Sequence, residues 1–203
     1  MPNWCYTRIT IQNEDIGELE KFNRLLEEWT SKNYIENGFG KNWLGNIIGN
    51  SGLDEWDENK RGFKSNIPCR GSITYFERSS NELLIDTETA WSPMLEMWYK
   101  LVDSFIPGST LIYSAEECGC GIFETNDTSL KDKYYLDIWE TDEVSKLYGQ
   151  EICSDYEASE EYIIDILQHV LNSKERVIEE LLNSFQKSNM TDYMQIHKWD
   201  FAA

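Results

Sequence analysis

The side chains of this sequence that could do chemistry are acidic and sulfur-containing groups concentrated in one short stretch. Cys118 and Cys120 lie two residues apart, directly after Glu116 and Glu117. Closely spaced thiolates are ligands that zinc and copper prefer. A cysteine pair within a strand, however, places both side chains on one face, where they also serve as small core residues. No second cysteine pair or histidine cluster stands nearby in the sequence, so we expect neither a metal site nor a cofactor.

A second candidate site combines carboxylates with an aromatic ring. Glu88 ends a predicted strand and Trp91 begins a predicted helix, so the fold could gather them with Glu116 and Glu117 at one edge of a sheet. Such a group could bind a divalent cation or act as acid and base. The alternative is architectural, with Trp91 as a core anchor and the glutamates capping the following turn. The sequence has no nucleophile elbow, P-loop, dinucleotide glycine fingerprint or His-Glu-x-x-His motif. We therefore expect a protein that acts by binding, with no catalytic residues, and keep the glutamate enzyme as the alternative.

The elements that would position these side chains follow from apolar spacing. Residues that alternate in character predict strands, and spacings of three and four predict helices. The order β-α-β-β-α-β is that of a ferredoxin-like, split βαβ fold of the α+β class, with both helices on one face of an antiparallel sheet. Ser92 would cap the second helix, and Pro93 would take its first position. The predicted strands are 3–11, 72–77, 82–88, 110–115, 121–125 and 133–138, and the predicted helices are 15–31 and 92–105.

The predicted domain organisation is a core with one insertion and one extension. The core covers residues 1–140, and its insertion at about 33–65 contains tryptophans that need to pack, with a short helix near 41–48. Residues 141–203 are predicted to form an acidic, mainly helical extension packed on the core. Its amphipathic helices fall over 159–172 and 174–187, and the hydrophobic end from Met190 indicates a packed strand or an interface.

The charge of the chain is strongly negative and unevenly distributed. The sequence holds 37 acidic and 18 basic residues, and residues 101–203 hold 21 of the acidic and 7 of the basic ones. Direct binding to nucleic acid is disfavoured, because that affinity depends on basic groups that displace counterions. The acidic stretch is either a solvated face or a surface for a basic partner. The candidate residues for the partner surface are Glu151, Asp155, Glu157, Glu160 and Glu161.

Compartment and membrane association can also be predicted. No apolar run approaches the roughly 20 residues that a membrane helix needs, and the N-terminus lacks the basic and apolar regions of a signal peptide. The five cysteines form an odd set at irregular spacing, which is typical of reduced thiols. We expect a cytoplasmic protein without a membrane partner. A homo-oligomer is compatible with the sequence.

Three short motifs carry a resemblance to a known family. They are Met1-Pro-Asn-Trp-Cys5, Thr89-Ala-Trp-Ser-Pro93 and Tyr113-Ser-Ala-Glu-Glu-Cys-Gly119. Over residues 1–136 the chain resembles the YubB ferredoxin-like family of plasmid, phage and other mobile-element proteins of bacteria, although Met94 stands where the motif has a second proline. The resemblance implies a ferredoxin-like fold but no reaction. It singles out Trp4, Trp91, Pro93, Glu116, Glu117 and Gly119.

Combined with the charge, the resemblance suggests a function. We expect a mobile-element protein that modulates or inhibits a nucleic-acid-handling host or defence protein by presenting carboxylates where phosphates would sit. The alternatives are the divalent-cation enzyme and a structural accessory module without a ligand.

Overall fold

A computed structural model describes residues 3–36 and 38–202, and the chain divides into two compact units, 1–122 and 123–203. Met1 and Pro2 of the opening motif, Asn37 of the predicted insertion and Ala203 of the tail lie outside the described residues. The larger core clusters of the two units share no residue. The predicted boundary at 140 therefore falls within the second unit. No helix in the described part of the chain is long and apolar enough to cross a membrane.

The first unit contains an antiparallel sheet of four strands whose positions match the sequence prediction. The strands are β1 (Trp4–Gln12), β4 (Gly71–Arg78), β5 (Glu82–Ala90) and β6 (Thr110–Glu117); the remaining elements are α1 (Ile16–Thr30), α2 (Leu44–Ser51), β2 (Trp56–Asp57), β3 (Gly62–Phe63) and α3 (Leu95–Phe105). Side by side, these four strands lie in the order β6-β1-β5-β4. Each neighbouring pair is antiparallel. The predicted α+β class and antiparallel sheet are confirmed.

One face of this sheet is buried and the other is open. Along β1, Cys5, Thr7, Ile9 and Ile11 are buried, whereas alternate residues point to the open face, as a period of two requires. Residues of α1 and α3 belong to the same core cluster as these buried strand residues. Apolar spacing alone therefore located the helical faces correctly.

The start of α3 was predicted incorrectly. The helix begins at Leu95 with Met94 as its N-cap, so Ser92 and Pro93 precede it. Trp91 has a left-handed backbone with φ of 75°, which no helix can continue. The hydroxyl of Thr89 donates a hydrogen bond to the carbonyl of Ser92 at 2.8 Å. This local bond holds the segment in a turn, and the helix begins three residues later than predicted.

The insertion between α1 and β4 is folded against the sheet edge. Helix α2 confirms the predicted short helix, three residues later than expected, whereas the β2–β3 hairpin was not predicted. Trp43 forms an isolated bridge with Ser72, and the N–H of Ile73 donates to the carbonyl of Asn42 at 2.9 Å. A Cβ at Gly45 would collide with the Trp43 ring, so glycine there lets the indole lie against α2.

The second unit combines three helices with short strands. Its elements are β7 (Ile122–Thr125), whose first residue is the last of the first unit, β8 (Tyr134–Ile138), α4 (Thr141–Tyr148), β9 (Asp155–Ala158), α5 (Glu160–Val170), α6 (Ile178–Phe185), β10 (Met194–Lys198) and β11 (Asp200–Phe201). Strands β10, β8 and β9 form one antiparallel sheet, and β11 pairs with β7 in parallel. The sequence predicted β7, β8, α5, α6 and a strand near the C-terminus, although α6 is shorter than the predicted helix 174–187. It missed α4 and β9.

Candidate functional site

The three sequence motifs meet at one end of the first unit's sheet. Because β1 is antiparallel to both β5 and β6, its first residues lie beside the ends of those strands. The carbonyl of Asn3 accepts a hydrogen bond from the N–H of Trp91 at 2.9 Å. The amide of Asn3 also donates to the Cys120 sulfur at 3.9 Å. The structure thus brings together motif residues that are more than a hundred positions apart in the chain.

Glu117 is the buried carboxylate at this end of the sheet. Only 3% of the residue is exposed. Its side chain accepts hydrogen bonds from the backbone N–H of Gly119, at 2.8 Å, and of Cys120. Burial acts to raise the pKa of Glu117, but hydrogen bonds from Cys120, Gly119 and Asn3 outweigh it and hold the pKa below its usual value. Glu117 therefore stays ionised and fixes the turn that follows β6, which matches the architectural alternative.

The two motif cysteines lie in that turn. Strand β6 ends at Glu117, so Cys118 and Cys120 fall outside the sheet and are exposed. The interpretation of this pair as small core residues is wrong. A hydrogen bond with Glu117 raises the pKa of Cys120, which keeps its thiol protonated. Within residues 3–36 and 38–202, no group of three or more His, Cys, Asp or Glu side chains is arranged to hold a metal ion.

The remaining carboxylates of the motif region are not clustered. Tyr6 pairs with Glu88 on one side and with Glu116 on the other, so two strand spacings, about 10 Å, separate the two glutamates. Glu117 points to the buried face and Glu116 to the open one, because successive strand residues alternate. A single cation or a shared proton cannot join all three.

The motif aromatic residues are on the surface. Trp4 is 45% exposed and Trp91 is 44% exposed, so the prediction of Trp91 as a core anchor is wrong. Its left-handed backbone is unusual for a bulky residue and carries a conformational cost. Pro93 is half-buried before α3. A Cβ at Gly119 would meet the side chain of Asn3, which explains the glycine in the motif.

The predicted partner residues lie in one continuous stretch of the second unit. Glu151 is in the loop before β9, Asp155 and Glu157 are on β9, and Glu160 and Glu161 form the first turn of α5. The Asp155 carboxylate accepts from the N–H of Glu157 at 2.9 Å, and Glu160 accepts from the Tyr134 hydroxyl at 3.2 Å. Burial, together with Glu160, raises the pKa of Tyr134 to about 12, so this hydroxyl remains a donor.

Exposure separates these five carboxylates into two groups. Glu151, Glu157 and Glu161 are exposed, and no ion pair to them is found among the described residues. Asp155 and Glu160 are half-buried and hydrogen-bonded. We call Glu151, Glu157 and Glu161 the acidic surface.

A cleft in the first unit contains residues that sequence reasoning missed. It has a volume of about 570 Å³ and is lined by side chains of the insertion, including Trp43, Trp56 and Arg61, together with Trp4 and Arg70. The signal in the sequence was a set of tryptophans and cations inside a polar insertion. The sequence showed that the rings must pack, but not that they leave a cavity.

Comparison with known proteins identifies no relative: the chain matches no family model, no curated protein and no solved structure.

Proposed function

We propose that this protein acts by binding, and that its acidic surface engages a basic, nucleic-acid-handling protein. The observation that carries the proposal is the exposure of Glu151, Glu157 and Glu161 without cationic partners in the described part of the chain. Lysine and arginine side chains that contact phosphates can contact carboxylates in the same way. The surface would therefore occupy the cations that a DNA or RNA backbone otherwise contacts.

Several neighbouring acids already have hydrogen-bond or ion-pair partners within the second unit. Asp137 accepts from the Ser154 hydroxyl at 2.9 Å, and Asp165 accepts from the Tyr148 hydroxyl at 2.6 Å. Glu143 pairs with Lys146. Such carboxylates already have local partners and are less available to a second protein. No hydrogen bond or ion pair of the Glu151, Glu157 or Glu161 side chains is found in the described residues, so these carboxylates are available to a second protein.

The chemistry of the first unit supports binding over catalysis. The Glu117 carboxylate holds a turn, and hydrogen bonding with it raises the pKa of the Cys120 thiol. Glu88 and Glu116 lie on either side of Tyr6. A carboxylate engaged by two backbone N–H groups is a poor general base, because it is stabilised in its charged form.

We also propose a ferredoxin-like fold for the first unit and membership of the YubB family of mobile-element proteins. The strand order β6-β1-β5-β4, antiparallel throughout, is the order that a split βαβ topology produces, and this supports the fold. The meeting of the three motifs at one end of the sheet supports the family. A modulator of a host or defence protein fits such an origin.

The test begins with immobilised protein and a bacterial lysate. Proteins retained at low salt and eluted at high salt are identified, and the principal basic one is purified for titration. We expect its affinity to fall steeply with salt and duplex DNA to compete for it. The triple variant Glu151→Gln, Glu157→Gln, Glu161→Gln should bind about tenfold more weakly, since each exposed charge pair contributes up to about 1 kcal/mol.

A matched control removes the same charge elsewhere. Glu14→Gln, Glu58→Gln and Asp103→Asn neutralise three exposed carboxylates of the first unit. This control should bind the partner within about twofold of the unmodified protein, because screening weakens distant charges. Salt-insensitive binding, or equal losses in the two triple variants, would exclude the acidic surface as the partner site and favour the accessory-module alternative.

A further inference from the structure

The cleft of the first unit combines aromatic rings with positive charge in a strongly acidic protein. Its lining includes Lys60, Arg61 and Arg70, and among the described residues it includes no aspartate or glutamate. The whole chain has about twice as many acidic as basic residues. The lining of the cleft is therefore positively charged, unlike the chain as a whole. A concave surface of low dielectric constant strengthens the electric field of such charges.

The β2–β3 hairpin supplies one side of the cleft. Trp56 pairs with Phe63 across the hairpin, and their ring centroids lie 5.4 Å apart at an interplanar angle of 87°. The N–H of Asn59 donates to the Asp57 carboxylate at 2.9 Å, which closes the turn. Arg61 then adopts a left-handed backbone with φ of 51°. The hairpin thus fixes Trp56 and places Arg61 at its tip.

The segment before β4 supplies the other side. The carbonyl of Arg70 accepts a hydrogen bond from the N–H of Ala90 at 2.8 Å, so this residue is held at the end of β5. Trp43 is 5% exposed, and its ring lies 6.0 Å from that of Trp56 at an interplanar angle of 77°. Trp4 and Phe39 line the same cleft but are largely exposed. The exposed rings give flat apolar surfaces that open to solvent, and the buried Trp43 ring packs against Trp56.

The two arginines remain available to a ligand. No ion pair of Arg61 or Arg70 is found in residues 3–36 and 38–202, whereas Lys64 pairs with Glu55 nearby. A guanidinium group presents several N–H donors in a plane and suits phosphate and carboxylate oxygens. The cleft thus offers ring surfaces for stacking and unoccupied donors for an anion.

We propose that this cleft binds a free nucleoside phosphate, with the base stacked on the accessible rings of Trp4 and Trp56 and the phosphate held by Arg61 and Arg70. The volume of about 570 Å³ lies within the range of sites for small ligands. Base stacking on aromatic side chains needs a flat apolar surface, and phosphate needs convergent donors. A nucleotide carries both a base and a phosphate in one molecule.

A free nucleotide fits better than a nucleic-acid strand. A strand presents one phosphate per residue, and phosphates beyond the cleft would meet a protein with a net charge of −19. Cys69 also lines the cleft, and burial raises its pKa to about 11, so its thiol is neutral and adds no charge that would repel the phosphate. The charge distribution favours one phosphate-bearing ligand at a time.

The test is calorimetric titration of the full chain with AMP, adenosine, inorganic phosphate and a single-stranded oligonucleotide of six adenosines. We expect AMP to bind at least tenfold more tightly than adenosine or phosphate, and more tightly than the oligonucleotide per site. Trp56→Ala should weaken AMP and adenosine alike, by about ten- to a hundredfold for AMP. Arg61→Gln with Arg70→Gln should weaken AMP about tenfold or more but leave adenosine binding unchanged.

Control variants distinguish the cleft from general charge effects. Arg24→Gln with Arg78→Gln removes the same charge from arginines that do not line the cleft, and it should leave AMP affinity unchanged. Tighter binding of the oligonucleotide than of AMP would overturn the choice of a free nucleotide. Adenosine binding equal to AMP would overturn the role of the arginines. An AMP affinity weaker than millimolar, or one unchanged in Trp56→Ala, would overturn the site. Hydrogen exchange confirms that each variant is folded.

Discussion

The two units of this chain carry surfaces of opposite electrostatic character. In the first unit, a cleft combines aromatic rings with three cations, although acidic residues outnumber basic ones in the chain. In the second, exposed carboxylates remain without cationic partners in the described residues. The net charge of −19 has the sign of the acidic surface but not that of the cleft. Partner predictions for a strongly charged chain therefore require the charge of each local surface.

The two surfaces also differ in how the fold constructs them. The acidic surface uses residues within eleven positions of one another, in a loop, an edge strand and a helix start. The cleft joins the start of β1, the β2–β3 hairpin and the segment before β4. A surface of local residues tolerates changes elsewhere in the fold. A surface assembled from distant segments depends on the contacts that hold those segments together.

The largest expected effect is the loss of stability when a buried phenylalanine is removed from the core of one unit. Phe185 is 1% exposed in the second unit, and Phe22 is 1% exposed in the first. Either change to alanine should destabilise its unit by about 3–5 kcal/mol, because it leaves a cavity. In Phe185→Ala, hydrogen-exchange protection should fall in α5 and α6 but persist in α1. Equal loss of protection in both units would contradict the distinction between two cores.

A smaller effect is expected at the sheet edge beside the cleft. A Cβ at Gly71 would lie 2.7 Å from the Cα of Thr89 and would also meet the Glu88 carbonyl, whereas a Cβ at Gly62 meets nothing within 4 Å. Gly71→Ala should cost about 1–3 kcal/mol and should also weaken AMP binding. Gly62→Ala should be close to neutral in urea unfolding. A neutral Gly71→Ala would show that β4 can move away from β5 without loss.

The pH dependence of the first unit should reflect Glu117. Its pKa is lowered in the folded state from about 4.3 in the unfolded chain, so its stabilisation is complete above pH 4.3 and is lost as pH falls through the folded pKa. At pH 7, Glu117→Gln should cost about 1–3 kcal/mol because one backbone N–H loses a charged acceptor.

Urea unfolding between pH 7 and pH 3 measures this prediction. The stability difference between the protein and Glu117→Gln should shrink toward acid pH. Glu88→Gln serves as the control, since no hydrogen bond to the Glu88 side chain is found in the described residues. A stability difference for Glu117→Gln that is constant with pH would mean that the Glu117 charge contributes nothing to the turn.

The smallest expected effects are changes in binding affinity, measured by testing each surface variant against both ligands. Neutralising the acidic surface should leave AMP affinity unchanged, and Arg61→Gln with Arg70→Gln should leave the basic partner's affinity unchanged. Each variant should lose about tenfold in its own assay, or about 1.4 kcal/mol. Calorimetry with both ligands checks this result. A loss in both assays for either variant would indicate that one surface serves both ligands.

Sequence patterns predicted the elements that have a strong apolar period and missed those that do not. Helix α1 shows a buried residue at every third or fourth position, and Asp15 accepts from the N–H groups of Gly17 and Glu18, so its presence and start were predictable. Helix α4 buries only Val144 and Tyr148 within an acidic stretch, which gives too weak a pattern. Strands β2 and β3 have two residues each and leave no periodicity to detect.

The site was predicted in position but not in detail. The strand order implied that the three motifs would meet at one end of the sheet. Glu116 and Glu117 lie beyond the predicted strand end at residue 115, and the hydrogen bonds that Glu117 accepts in the following turn leave no pattern in the sequence. The cleft depends on the approach of the β2–β3 hairpin to Arg70, a long-range contact that local spacing does not encode.

The left-handed backbone of Trp91 sets two contributions to stability against each other. Glycine would adopt φ of 75° at no steric cost, whereas tryptophan carries about 1–3 kcal/mol of strain there. The residue is 44% exposed, so about half of its apolar surface is buried, and that burial offsets the strain. Trp91→Gly would therefore relieve the backbone and at the same time remove the partly buried ring.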